Sequence, residues 1–540
     1  MGLMGSLYIG TSGLQTGQNA LNTVAHNLTN ASTTGYTRQQ ILLNDRQYVT
    51  LSKNHKSVAN QQTGLGVCYA QTRQVRDYFL DKTYRKEAGR CSFYEVSYET
   101  MTEVEALLGE MDGKTFNEAL NNLWVTVQEL AKDPTSAVNQ GALVQRAAQF
   151  VSKANAVYDG LASYQDNLNL QVKQNIDKIN EIGQRIYDLN LQILNIEIGG
   201  REHANDLKDT RNYLLDELGK LTNMSYEEDY DGCVAIRIEG HNFVNRAGVC
   251  EIAMYEDPNT EFYTPYWKLD GKVTIKPDGS EEVDIESAKV FDLHKTVSAE
   301  MNTDIGLVKG QMLARGEHRA NYTDLNPATY NDVTSQSIIM NIQAEVDNLV
   351  HAVVTKINGV LADASNPASG YLMDGSEPLR LFEKISDDGY PEDLSLGKEN
   401  TLYTIGNLTV NDDLIKTPTL LNLKKEDGSA DYDTVYQLMA LFDEEIYTLN
   451  PNVVSKANFA GLYNNIVGQV ANSGAVFKSV YENQQVTVDS TEAARQQVIG
   501  VSDDEELNNM IKFQNAYNAS SRYINVIDEM LEHIINTLGM

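Results

Sequence analysis

Prolines fall almost wholly in the middle of this chain. Of ten, one is Pro134 and nine lie between Pro258 and Pro451, so the first 133 residues and the last 89 hold none. Proline removes a donor from a helix and clashes with the preceding turn. Both ends are therefore free to form long helices.

The C-terminal periodicity agrees. Met510, Tyr517, Ile524, Leu531 and Leu538 recur every seven residues, with Phe513, Ser520, Ile527 and Ile534 as a second row three residues on. Heptads repeated in this way predict a coiled-coil-like seam. Ser502-Asp-Asp-Glu505 reads as a capping box opening that helix, its acids suited to the positive end of the dipole. At the other end Leu7, Leu14, Leu21 and Leu28 are also seven apart, with Val24 and Ala31 alongside. Residues 1–37 contain no Asp, Glu, Lys or Arg, although 22% of the chain is charged. A solvated helix face normally carries charge, so this one is expected to pack on protein, either a domain core or a neighbouring subunit.

A third helical block runs from about Phe93 to Leu221, broken near Lys132-Asp133-Pro134. Within it Leu168, Asn175, Ile182, Leu189 and Ile196 form one row, and Val172, Ile179, Ile186 and Ile193 another. A buried Asn175 would fix register at some cost in stability. Gly141 to Glu197, as one helix at 1.5 Å per residue, would reach about 85 Å, which predicts an elongated molecule. Between helical blocks the period changes. Cys233–Ile238, then Glu-Gly, then His241–Asn245 reads as a hairpin, and Lys272–Lys276 runs into Pro-Asp-Gly. Helical spacing returns at Ile339, Ile342, Val346, Leu349, Val353 and Ile357. A loop- and strand-rich stretch with Asn366-Pro, Asp387-Asp-Gly and Glu426-Asp-Gly follows, and helices resume from about Val435.

The expected fold is thus α+β: an elongated, discontinuous helical rod with a coiled-coil core made from the N- and C-terminal segments, bearing inserted β-rich lobes. Residues 1–45 and 500–540 form the terminal helical assembly domain, and 46–222, 301–364 and 433–499 a long-helix bundle. Residues 223–300 form one β-rich lobe and 365–432 a second, loop- and β-rich one. At about 150 residues per domain, three or four domains suit 540 residues.

Charge narrows the function. Asp and Glu total 75 against 43 Lys and Arg, a formal net of −32, which argues against nucleic acid and against a polybasic hold on lipid. No apolar run is long enough to insert in a membrane, and the N-terminus lacks the basic and apolar regions of a cleaved signal peptide. Cys68, Cys91, Cys233 and Cys250 are far apart and expected as free thiols, though Cys233 and Cys250 could meet across a hairpin.

Catalytic patterns fail one by one. No two of the eight histidines lie within five residues, which removes local two-histidine metal motifs. Gly109-Glu-Met-Asp-Gly113-Lys114-Thr115 has three residues between glycines where a phosphate loop needs four. Glu227-x-Asp229-x-Asp231-Gly232 opens like a calcium loop, but its twelfth position is Ile238, not the required Glu. No catalytic residue, metal site or cofactor is expected. The informative surfaces are the apolar rows of the two terminal helices. They are the expected assembly interface: Leu7, Leu14, Leu21, Val24, Leu28 and Ala31 with Met510, Phe513, Tyr517, Ile524, Ile527, Leu531, Ile534 and Leu538.

These termini carry a resemblance. Ser12-Gly-Leu-Gln-Thr-Gly-Gln-Asn-Ala-Leu-Asn22-Thr-Val-Ala-His26-Asn27-Leu-Thr-Asn30, continuing to Gly35-Tyr36-Thr-Arg38-Gln39, resembles the start of bacterial flagellar rod, hook and hook-associated proteins. Gly500-Val-Ser-Asp-Asp-Glu-Glu-Leu507 and Phe513-Gln514-Asn-Ala516-Tyr517-Asn-Ala-Ser520 resemble the end of the same family. Where the family usually has Asn-Thr-Pro-Gly-Tyr, this chain has Ser32-Thr-Thr34-Gly35-Tyr36; Gly35 still permits the turn. The resemblance implies a structural subunit, not an enzyme, in a short tubular zone joining hook to filament. It implies self-assembly into a ring, contact with the hook protein and the next hook-associated protein, and an export chaperone on the C-terminal helix. It also implies type III export without a cleaved signal, to an extracellular place in the flagellum. Two readings from the residues stay open beside it: an adhesin that uses the β lobes on a helical stalk, and an enzyme domain embedded in such a subunit.

Overall fold

This computed structural model describes residues 3–46, 49–50, 62–109, 116–199, 203–275, 281–362, 379–386, 392–395, 399–421, 423–425 and 428–538. Among them the α-helices are α1 (Leu3–Thr29), α2 (Tyr78–Leu108), α3 (Phe116–Leu130), α4 (Ala137–Glu197), α5 (Asn205–Leu221), α6 (Leu307–Arg315), α7 (Ile338–Ala362), α8 (Asp412–Lys416), α9 (Tyr432–Asp443), α10 (Phe459–Ile499) and α11 (Asp503–Leu538). The strands are β1 (Gln39–Asp45), β2 (Val49–Thr50), β3 (Gln62–Thr63), β4 (Val67–Gln74), β5 (Met224–Glu228), β6 (Val234–Ile238) and β7 (His241–Asn245). After them come β8 (Gly248–Val249), β9 (Ile252–Glu256), β10 (Tyr263–Trp267), β11 (Lys272–Ile275), β12 (Glu281–Asp284), β13 (Phe382–Lys384) and β14 (Leu408–Val410). The fold is α+β, mostly helix with small antiparallel sheets. The turns expected at Asn366-Pro, Asp387-Asp-Gly and Glu426-Asp-Gly, and most of the Gly109–Thr115 stretch, lie outside the described residues.

The chain divides into two compact units. The first takes Met1–Ala88, Ile179–Glu251 and Gln485–Met540; the second takes Gly89–Lys178 and Ile252–Gln484. The boundary at Glu251 falls inside the β-rich stretch 223–300.

In the first unit a four-stranded sheet in the order β5-β6-β7-β8 packs on α4 and α5 side chains. Val234, Ile236 and Ile238 are buried while Arg237 points out, the alternation expected of a strand with one covered face. Ile238 pairs with His241 across Glu239-Gly240. Both turn residues have positive φ, 49° and 84°, the geometry that matches strand twist in a two-residue hairpin. Of the two apolar rows read in the sequence of α4, the one through Ile179, Ile186 and Ile193 is buried. Its companion is buried at Leu168 and Ile182 and then slips by one residue, from Leu189 and Ile196 to Asn190 and Glu197, with Ile196 exposed. The reason is polar. Asn190 exchanges two hydrogen bonds with Val234, 2.9 and 3.1 Å, and Glu197 accepts from Ala204 N at 3.0 Å and pairs with Lys208 at 2.9 Å. Gly183 lies under the ring of Phe243.

The second unit is built around α7, which is buried on nearly all sides, as an apolar helix of this kind must be. Ile339, Ile342, Val346, Leu349, Val353 and Ile357 join a core that includes Phe116, Phe150, Phe382 and Phe459. Each polar residue of α7 that enters the core ties down a loop. Asn358 makes two bonds to the backbone of Phe382, and Asp347 accepts from Tyr322 N and Ile405 N at 2.9 and 2.7 Å. Glu345 accepts from Asn450 and Gln469. Satisfying buried polar atoms in this way is the rule in native cores. All four cysteines are free, three of them buried.

Candidate assembly interface

Helices α1 and α11 pack side by side and antiparallel. Gly10 faces Ile524, Gly13 faces Ser520 and Gly17 faces Tyr517. The packed face of α1 is Gly10, Gly13, Gly17, Ala20, Val24 and Asn27, a three-four spacing made of small residues. A Cβ added at Gly10 would lie 2.5 Å from Ile524 Cγ1, and one at Gly13 would strike Ser520 Oγ. Close approach is what the glycines provide, and it has a cost. Gly5, Gly10, Gly13 and Gly17 each weaken a helix by about 1 kcal/mol relative to Ala, so α1 depends on its partner to stay helical. On α11 the two heptad rows read in the sequence form the facing seam from Met510 to Leu531.

The lone hydroxyls of α1 are satisfied within the helix. Thr11, Ser12, Thr16, Thr23 and Thr29 each donate to a carbonyl three or four residues back. That lets the helix do without charge. The opposite face, Tyr8, Thr11, Gln15, Gln18, Asn22, Ala25 and Thr29, is exposed along its whole length, Tyr8 by 62%.

Where α1 ends, a polar latch closes on α11. Asn27, 1% exposed, uses both donors and both lone pairs of its amide. It donates to Gln39 O at 2.9 Å and Glu506 Oε2 at 3.1 Å, and accepts from Tyr36 OH at 2.7 Å and Gln39 N at 3.0 Å. Arg38 reaches the same helix end: Nε donates to Glu506 Oε1 at 2.8 Å and Nη1 lies 2.9 Å from Glu505 Oε2. The carboxylate of Glu505, read in the sequence as the closing member of a capping box, is thus engaged by Arg38. Arg38 N donates to Ile499 O at 2.8 Å, clamping the break between α10 and α11. Behind the latch Asp209 receives Thr37 N at 3.3 Å and Gln74 Nε2 at 2.8 Å. Burial pushes the Asp209 carboxyl up to about 6, with Thr37 and Arg76 pulling the other way. Burial, reinforced by Asp209, Asp206 and Glu506, raises the Tyr36 phenol.

The root of α11 is held by a chain of buried ion pairs. Arg495 donates to Asp81 at 2.8 Å and Asp216 at 2.6 Å; Arg76 also binds Asp81, and Arg85 binds Asp216 at 2.6 Å. Residues from α2, α5 and α10 are tied together in one network. Sequence reasoning missed it, because the partners stand 279 and 414 residues from Arg495 and no local pattern marks them.

The expected interface residues divide into three groups. Val24 and Ile527 are buried. Leu7, Leu14, Leu21, Leu28, Met510, Phe513, Tyr517, Ile524 and Leu531 are half-buried, the four leucines lying beside the glycine seam rather than in it. Ala31 and Ile534 are exposed, and the side chain of Leu538 is not among those described. Of the residues in the family motif, Asn27, Tyr36, Arg38 and Gln39 meet in the latch. His26 lies 2.7 Å from Asn30, Phe513, Tyr517 and Ser520 are in the seam, and Asn22, Gly35, Gln514 and Ala516 are exposed. Beyond the seam, Leu507, Ile511, Tyr523, Val526, Met530 and Ile535 of α11 are exposed, Ile511 by 58% and Ile535 by 67%. The calcium-like turn is answered by a side chain: Arg246 lies 3.2 Å from Asp229 and 2.5 Å from Asp231. Among the described residues no group of three His, Cys, Asp or Glu could hold a metal ion, and no helix is long and apolar enough to cross a membrane.

Known proteins with these features are flagellar. The helical domain of flagellar hook-associated protein FlgK matches residues 101–365, the flagella basal body rod protein matches 7–37, and the C-terminal domain of flagellar basal body rod FlgEFG protein matches 498–537. The two terminal matches cover most of α1 with the latch residues Asn27 and Tyr36, and α11. Flagellar hook-associated protein 1 of Bacillus subtilis is 25% identical over 97% of this chain and 96% of its own length. That of Escherichia coli is 21% identical over 97% and 98%. The structure of the flagellar hook junction protein FlgK from Burkholderia pseudomallei superimposes with a TM-score of 0.55 over 78% of this chain and 100% of that one, at 11% identity, a likeness of fold. The chain belongs to the family of flagellar hook-associated proteins.

Proposed function

We propose that this protein is a structural subunit that joins the flagellar hook to the filament, assembling as a ring of copies through its terminal segments, residues 1–45 and 500–540. The single observation that carries the reading is the outer face of α1: seven successive exposed positions with no charge, in a chain of net charge −32. Interfaces deplete charge at their centres, and an acidic monomer gains nothing from an uncharged solvated face. The exposed apolar residues of α11 point the same way. Between Leu507 and Ile527 the only charged residues are Lys512 and Arg522.

In this reading the remaining helices, from 46–222, 301–364 and 433–499, form the bundle that carries the lobes 223–300 and 365–432. The hook protein and the next hook-associated protein are the axial neighbours. The subunit leaves the cell by the flagellar type III route without a cleaved signal, a chaperone covers α11 beforehand, and its working place is extracellular. The role is structural and needs no cofactor.

The test is the double variant Ile511→Asp, Met530→Asp in the full chain, placed in cells lacking their own copy. Both side chains are exposed, so the purified monomer is expected to keep its melting temperature. Cells should show hooks without filaments and shed filament protein into the medium. Normal attached filaments would overturn the reading.

A further inference from the structure

The hairpin of β9 and β10, the segment from Ile285 to His294, and α6 enclose a cavity of about 740 Å3 in the second unit, the size of a small-molecule site. Its walls mix apolar and charged side chains, among them four carboxylates. Glu286 is 2.7 Å from Lys289, and Asp292 is 3.3 Å from Lys295 and accepts from His294 N. Glu317 is 3.6 Å from His294, and Asp257 accepts from Asn259 N at 2.8 Å. The other cation of the lining, beside Lys289 and His294, is Arg315.

Arg315 is 2% exposed, at the end of α6. Its Nε donates to Gly316 O at 3.0 Å and its Nη1 to Tyr263 O at 3.1 Å and to Asn169 Oδ1, and its guanidinium sits 4.6 Å over the ring of Phe262. All are neutral partners. Among the described residues no carboxylate pairs with it and Nη2 makes no hydrogen bond, yet Nη2 is not among the atoms sealed inside the protein. A buried cation without a close counter-charge is costly: burial lowers the Arg315 pKa to about 10, with Glu317 pulling the other way from beyond ion-pair distance. Guanidinium edges bind oxyanions better than any neutral acceptor.

We propose that this cavity binds a small organic oxyanion, its carboxylate or phosphate against Arg315 Nη2 and its apolar body against Phe262, Phe291 and Met312. The site is independent of the assembly faces and gives the tyrosine-rich hairpin a task that joining hook to filament does not explain.

The experiment is titration calorimetry of the full chain with phenylacetate, phenyl phosphate and the neutral phenylacetamide, followed by hydrogen exchange with the tighter anion. An anionic probe should bind at least about 10-fold tighter than the amide, the worth of one charge-assisted bond. Which anion wins identifies the carboxylate or phosphate source. Protection should appear over residues 262–264 and 312–316. Arg315→Gln should remove the preference for the anion. Because that variant also loses the bonds to Asn169 and Tyr263, Thr264→Trp, which fills the cavity and leaves Arg315 in place, should abolish binding independently. Equal binding of the amide, protection elsewhere, or no binding at millimolar concentration would overturn the proposal.

Discussion

Replacing Asn27 by Ala tests whether the latch holds the two ends of the chain together. The side chain makes four hydrogen bonds, at 2.7 to 3.1 Å: three hold the turn after α1, to Tyr36 and Gln39, and the fourth reaches the first turn of α11 at Glu506. The substitution leaves Gln39 N, Gln39 O and Glu506 Oε2 without a partner in a buried place, while the half-buried Tyr36 hydroxyl can turn to water. At a net of about 1 kcal/mol for each group stranded, the loss is about 3 kcal/mol. Local opening should then become about 100-fold more frequent, since 1.4 kcal/mol is a factor of ten. Hydrogen exchange of the Gln39 amide in the full-length monomer reads this directly. A companion variant, Asn27→Asp, keeps two acceptors but sets a carboxyl oxygen where Nδ2 now lies, 3.1 Å from Glu506 and 2.9 Å from Gln39 O. It should open more often than the Ala variant at pH 8 and recover as the pH falls and one of the two carboxyls takes a proton. If exchange at Gln39 rises less than about 5-fold in the Ala variant, the latch contributes little, and the argument that it holds the two ends together is wrong.

Three further outcomes follow from the core. Glu345, Asp347 and Asp209 hold their protons up to about 7, about 6 and about 6, chiefly through burial. Above the ordinary carboxylate range and up to those values the folded chain therefore binds protons that the unfolded chain has released, and stability falls as the pH rises. The opposing groups, Asp81 and Glu197, whose burial is outweighed by Arg76 and Lys208, lose stability only below that range. The urea midpoint should be higher at pH 5 than at pH 8, and Glu345→Gln should flatten the difference. Gly183→Ala drives a methyl into the Phe243 ring, which is wholly buried, and should cost about 1–3 kcal/mol in urea unfolding by overpacking; a gain from helix propensity would show that the ring yields. Arg495→Met leaves Asp81 and Asp216 each one cation short and should cost about 3–5 kcal/mol, read as faster proteolytic release of α11; unchanged release would mean that Arg76 and Arg85 suffice.

How much of this was legible in the sequence depends on which side of each contact carries an apolar residue. The heptad rows of α11 are large and local, so spacing alone located them. Their partner face on α1 is Gly10, Gly13, Gly17 and Ala20, and a search for apolar repeats passes over glycine; it found the leucines one position away, which lie beside the seam. The same blindness missed Gly183, which packs under Phe243 beside the buried Ile182, and Asn190, which makes the hydrogen bonds one residue beyond the half-buried Leu189. The family motif placed Asn27, Tyr36, Arg38 and Gln39 together but not what they hold, since Glu506 lies 479 residues from Asn27. The absence of charge over residues 1–37 was legible, and it is the feature that survives folding: hydroxyls close on the helix backbone and the seven outward positions stay uncharged in water. A surface with no charge to desolvate, next to a seam of glycines too weak to keep a helix alone, is suited to ordering against a neighbour. An uncharged helix and a strongly acidic chain are opposite compositions in one molecule. The acids lie in the rest of the chain, and the neutral residues in its first 37 positions, so the two are kept apart.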